Sequence, residues 1–112
     1  MGRKRIYQHY KIPHSVVFMV EAIIQDYPRR KRAIEYASVS SESASEEYIR
    51  LNKIIEAAID QEEPMVNALL ISDIINGRGY NSSEATTLAS KNLYYRLKRQ
   101  LVETIASDCN WI

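Results

Sequence analysis

Only three glycines and three prolines punctuate this chain of 112 residues. Glycine and proline are the strongest local breakers of helix, and their scarcity leaves long windows of good helix formers between them. The chain is therefore expected to be all-α: a compact bundle of about five helices, the last of them long and basic. The length suits a single helical domain over residues 1–112, with residues 1–12 as a flexible basic arm. An apolar fraction of 46% and a charged fraction of 26% are those of an ordinary globular protein and argue against wholesale disorder.

The few breakers place the elements. Pro13 suits the first turn of a helix that carries Val16, Val17, Val20, Ile23 and Ile24 at helical spacing. Asp26-Tyr27-Pro28 marks a break, since the residue before proline avoids helical geometry. Pro28 opens a second helix through about Ser38, with Ala33, Ile34 and Ala37 facing inward. "SVSSESASEE" reads as a loop ending in a helix start, with Ser43 and Glu46 at capping-box spacing. The third helix, about Glu46 to Gln61, has the clearest stripe: Leu51, Ile54, Ile55, Ala58 and Ile59. Pro64 starts a fourth helix, and Gly77 is its expected left-handed stop. "NGRGYN" is a turn, after which Asn81 or Ser82 caps the last helix.

The net charge is only +1, but the charges are not evenly spread. Residues 1–32 hold eight cations against Glu21 and Asp26, and residues 42–73 hold eight acids against Arg50 and Lys53. Residues 78–99 are basic again, with five cations against Glu84. Two basic blocks around an acidic one give either a polarised surface or internal pairing, and the polarised surface is the expectation. The single cysteine, Cys109, cannot close an intramolecular disulfide, which points to a reducing cytoplasm. Glu21 interrupts the longest apolar run, so no membrane span is expected, and "MGRKR" is not followed by a signal-peptide core.

The segment "KNLYYRLKRQL" carries the most specific signal. As one helix over residues 83–106, with Leu97 at zero, Leu93, Leu101 and Ile105 fall within about 80°, and Ala85 and Ala89 extend that stripe. Lys91, Tyr95, Arg96, Lys98 and Arg99 spread over about 100° to 260°, a wet face centred on Tyr95, with Tyr94 leaning to the apolar side. Any core helix needs a solvated side, but from Ala85 to Val102 there is no acid at all. A phosphate-facing helix excludes anions in just this way. The arm residues Arg3, Lys4 and Arg5 fit groove or backbone contact, with a plain solubilising tail as the alternative. "RRKR" at residues 29–32 opposes the dipole at a helix start, and so suits either an anionic partner or the acidic third helix.

Catalytic patterns are missing. His9 and His14 lie in no metal-ligand motif, no phosphate loop or nucleophile elbow occurs, and the adjacent Glu62 and Glu63 point apart. They read instead as acids placed well for the helix dipole at Pro64. Phe18, Met19 and Met65 are expected as core fillers, and Trp111 and Ile112 as folding back onto the core. No enzyme, metal or cofactor is expected.

"VEAIIQDYPRRKRAIE" and "LYYRLKRQLVETIA" together resemble the two ends of the RinA/ArpU-type phage transcriptional regulators, over about half of the chain. That resemblance implies a C-terminal half similar to sigma-factor region 4, a DNA-binding helix-turn-helix contacting the transcription machinery. It would place Lys91, Asn92 and Tyr95 on the base side and Arg96, Lys98 and Arg99 on phosphates. Here only "NSSEATTLA" precedes "SKNLYYRLKRQL", a short allowance for a scaffold helix and a turn. Either Ser90 caps a separate recognition helix, leaving a degenerate helix-turn-helix, or the last helix runs straight through residues 83–106. The expectation is a non-enzymatic phage or prophage DNA-binding regulator in the cytoplasm of a bacterial host. Its partners would be double-stranded DNA and RNA polymerase, with homo-oligomerisation left open. The alternative is a helical assembly protein of a phage, such as a packaging or head-associated adaptor.

Overall fold

The computed structural model describes residues 10–112, and these are all-helical. In chain order the elements are α1 (His14–Gln25), α2 (Tyr27–Ser40), α3 (Glu46–Ile59), α4 (Pro64–Asn76), two short 3₁₀ turns (Tyr80–Ser82 and Glu84–Thr87) and α5 (Lys91–Asp108). No described residue belongs to a strand.

Each boundary has a local cause. Pro13 sits one residue before α1 as its N-cap, in extended geometry, and the buried face of α1 is Val17, Val20 and Ile24. Asp26 ends α1 and also caps α2, so the break before Pro28 is a single residue wide. The cap of α3 is Ser45, whose hydroxyl accepts from the Tyr48 N–H at 3.3 Å, and not Ser43 as the capping-box spacing suggested. The helix begins at Glu46, so only Ser45 stands where a side chain reaches the third amide. Gly77 is left-handed (φ 66°), as expected, and the Arg78 N–H closes on the Asp73 carbonyl at 2.8 Å.

α5 is the centre of the bundle, packing against α1, α3 and α4, while α2 lies against α3. Two apolar clusters result. The larger joins Val17, Val20 and Ile24 of α1 to Ile55, Ile71 and the C-terminal half of α5. The smaller joins Val66 and Leu70 of α4 to Ala85, Ala89, Tyr94 and Leu97.

Several expected core positions move. Ala37 is buried as expected, but Ala33 is exposed and Ile34 half-buried, and the other buried position of α2 belongs to Arg30, only 2% exposed. Its guanidinium donates to Asn52 Oδ1 at 2.7 Å, to the Ile23 carbonyl and to Asp26, so each of its three nitrogens has an acceptor. Phe18, Met19 and Met65, expected inside, are exposed, Met65 at 71%. Each lies off the buried stripe of its helix, which Val17 and Val20 set in α1 and Val66 and Leu70 in α4. Trp111 does pack against the larger cluster, whereas Ile112 is exposed.

Candidate nucleic-acid interface

The chain turns at Ser90. That residue is extended (φ −67°, ψ 162°), and its hydroxyl accepts from the Leu93 N–H at 3.1 Å, a side-chain N-cap. Upstream, Glu84–Thr87 is one short 3₁₀ turn capped by the Ser83 hydroxyl, which accepts from the Ala85 N–H at 2.9 Å. Neither Asn81 nor Ser82 caps α5. The continuous helix over residues 83–106 is thereby excluded, and Ala85 and Ala89 are buried in the turn region and not along a helical stripe. What stands between α4 and that turn is two short 3₁₀ turns, neither as long as a scaffold helix.

Tyrosines and a buried acid hold this connection in place. Tyr80 donates to the Ala89 carbonyl at 2.8 Å, and its ring meets Tyr94 edge-on at 5.2 Å. Tyr94, 1% exposed, donates to Asp73 Oδ2 at 2.8 Å, and Arg78 Nε meets the other oxygen of Asp73 at 3.2 Å. Burial first, and then the Asp73 carboxylate, push the Tyr94 hydroxyl well above its ordinary pKa, so it stays a donor. The start of α5 is thus tied to the end of α4 by buried, charge-assisted bonding. Sequence reasoning placed Tyr94 on the apolar side but missed Asp73, whose only signal was an acid within an otherwise apolar helix.

The expected wet face then divides. Lys91 and Asn92 are exposed, and Arg96, Lys98 and Arg99 are half-exposed. Arg96 is bonded through both terminal nitrogens to Glu62, each at 3.2 Å, which holds the Glu62 carboxyl below its ordinary pKa. Lys91, Lys98 and Arg99 make no ion pair with a described residue. Tyr95 is not the solvated centre of the face: it is half-buried, packs on the smaller cluster and meets Tyr94 edge-on at 5.1 Å. A Cβ at Gly79 would stand 3.8 Å from its hydroxyl, so the turn before the 3₁₀ segments closes over it. Beyond Arg99 the face ends, because Val102 on the same side is fully buried. Within α5 the solvated basic surface is therefore its N-terminal half. Its first acid, Glu103, accepts the Lys11 N–H at 3.0 Å.

The second basic cluster is largely structural. Arg29 binds Asp26 at 2.6 Å, donates to the Tyr48 hydroxyl at 3.0 Å and lies over that ring at 5.1 Å, a cation–π contact with α3. Its hydrogen bonds hold the Asp26 carboxyl below its ordinary pKa. With Arg30 buried, only Lys31 and Arg32 of the cluster remain on the surface without an ion pair to a described residue. α2 meets α3 through Tyr48 and Asn52 and through a Tyr27–Glu56 hydrogen bond of 2.6 Å, and its arginines pair with Asp26 and not with the acids of α3.

Arg3, Lys4, Arg5 and His9 lie outside the described residues. Among the described residues no group of acids, His and Cys could hold a metal ion, and no helix is long and apolar enough to cross a membrane. Cys109 is buried, and burial pushes its thiol up, the reverse of what an activated nucleophile needs. No protein-family model, curated protein or solved structure matches the chain.

Proposed function

We propose that the chain binds double-stranded DNA through the N-terminal half of α5 and acts in phage or prophage transcription regulation, without catalysis. The observation that carries this reading is a basic helix that starts at a capped turn, holds no acid before Glu103 and leaves Lys91, Lys98 and Arg99 without an ion pair to a described residue. A cationic surface of this kind gains by releasing counterions from phosphates. Lys91 and Asn92, at the exposed tip, take the base-side positions, while Lys98 and Arg99 take phosphates. Arg96 contributes less, since Glu62 holds it. Tyr95 acts through its hydroxyl only, because its ring packs inward. Arg3, Lys4 and Arg5 would add backbone contacts, and RNA polymerase is a further partner under this reading.

A gel-shift titration tests it. The wild-type protein retards duplex DNA at low salt, and the R96A/K98A/R99A variant does so at least about tenfold more weakly, roughly the electrostatic value of two to three phosphate contacts. Absence of retardation by folded wild-type protein would sink the proposal.

One observation favours a second reading, a helical assembly protein of a phage: Met65, Leu88 and Val39 are exposed and offer apolar contact. A large stable oligomer in light scattering, with no affinity for duplex, would favour that reading.

A further inference from the structure

An exposed leucine stands just before α5. Leu88 is 47% exposed, while Ala85 before it and Ala89 after it are buried in the smaller cluster. The backbone there is held at several points. The Leu88 and Ala89 N–H groups both donate to the Ala85 carbonyl at 2.9 Å, and the Ala89 carbonyl accepts from Tyr80. The fold itself therefore leaves this side chain outside.

Its neighbours define the character of the surface. Thr86 and Thr87 are exposed, but their hydroxyls donate to the Ser83 and Glu84 carbonyls at 3.1 and 3.0 Å. With those protons engaged by their own turn, the threonines offer a partner methyl groups and no free hydroxyl donor. Just beyond Leu88 come Lys91 and Asn92, the first two residues of α5, both exposed. The Asn92 side-chain amide bonds no described residue. The Ser90 cap fixes where the helix starts relative to Leu88.

A protein partner would need far more apolar area than one leucine among threonines and a lysine provides. A duplex needs only a matching base edge. In the major groove adenine shows an acceptor beside a donor, which an asparagine amide meets with two hydrogen bonds, and thymine is the one base that adds a methyl group. A G·C pair has no such methyl, so Leu88 would face polar edges alone.

We propose that Leu88 is a specificity-determining residue of the α5 surface. It packs on a thymine methyl in the major groove while Asn92 reads adenine, so the protein prefers A·T steps. This rests on the duplex reading of α5 and adds to it the class of site bound.

The test is fluorescence polarisation of the full chain with an alternating A·T duplex and with the same duplex carrying uracil for thymine, which removes only the methyl groups. Wild-type protein is expected to bind the thymine duplex about fourfold more tightly, the value of one buried methyl group. L88A should bind both duplexes alike, with the wild-type salt dependence, since it removes no phosphate contact. A thymine preference undiminished in folded L88A would overturn the inference and leave duplex binding standing. So would equal wild-type affinity for the two duplexes; if L88A then weakened both, Leu88 would be a wedge in the minor groove. A change of oligomeric size in L88A by light scattering would also overturn it, marking Leu88 as a protein contact. Binding to neither duplex would overturn the duplex reading and the inference together.

Discussion

Glu62 decides how much of the basic surface is available. It holds Arg96 in a two-pronged pair on an exposed surface, where such a pair is worth little to stability because water screens it. Its larger effect is to neutralise one of the cations of α5. E62Q is therefore expected to leave the melting temperature almost unchanged, to raise duplex affinity about two- to fivefold at low salt and to steepen its salt dependence. Fluorescence polarisation with thermal melts checks both parts, and unchanged affinity would mean that Arg96 makes no phosphate contact. Tyr27 offers a second test. Burial and its bond to Glu56 push its pKa up to about 12 from 10.0, so the folded state favours the protonated phenol. The stabilisation is complete below pH 10 and is lost as pH rises through about 12. In alkaline melts the wild-type protein should lose stability over that window, and Y27F should lose less. Tyr94 and Cys109, raised in the same sense by burial, contribute to the part that remains.

Among the elements, the turn before α5 matters most. Ser90 terminates the connection and starts the helix, and S90A removes its cap at a cost of about 1 kcal/mol. Y94F removes the buried donor to Asp73 Oδ2 and should cost about 1–3 kcal/mol, since one oxygen of a buried carboxylate loses its donor while Arg78 keeps the other. Chemical denaturation measures both, and amide exchange should quicken between residues 78 and 90 in Y94F. A loss confined to global stability, with exchange in that segment unchanged, would mean that Tyr94 does not tie down the turn. The same region shows how far sequence reasoning reaches. Gly77 and the α3 stripe were legible because a left-handed stop and a helical period are local properties. The turn at Ser90 stayed ambiguous because "EATTLAS" supports either a short capped segment or continuous helix, and packing of Ala85 and Ala89 under Tyr80 decides between them. The cap of α3 shifted from Ser43 to Ser45 because five serines share the stretch SVSSESASEE and a spacing to one glutamate does not fix where the helix begins.

Across the whole molecule, the central position of α5 sets the shape of the interface. α1, α3 and α4 surround its C-terminal half, which explains why Val102, on the basic side by helical phase, is buried. A helical wheel treats every turn alike, and so it extended the cationic face beyond the point where neighbouring helices cover it. Arg30 escaped for a similar reason: its partners, Asn52 and Ile23, lie on other elements. The all-α class needed no such partners, because it follows from the scarcity of breakers. What remains is a helix buried along its apolar side, with Lys91, Lys98 and Arg99 of its N-terminal half making no ion pair to a described residue. The most direct test of that division is the salt dependence of duplex binding by fluorescence polarisation, comparing the wild-type protein with K98A/R99A. The wild-type slope of log K against log salt should be about −3, and the variant should lose about 2 from its magnitude, close to 0.9 per phosphate contact. A wild-type slope near zero, or an identical slope in the folded variant, would contradict a phosphate-binding α5.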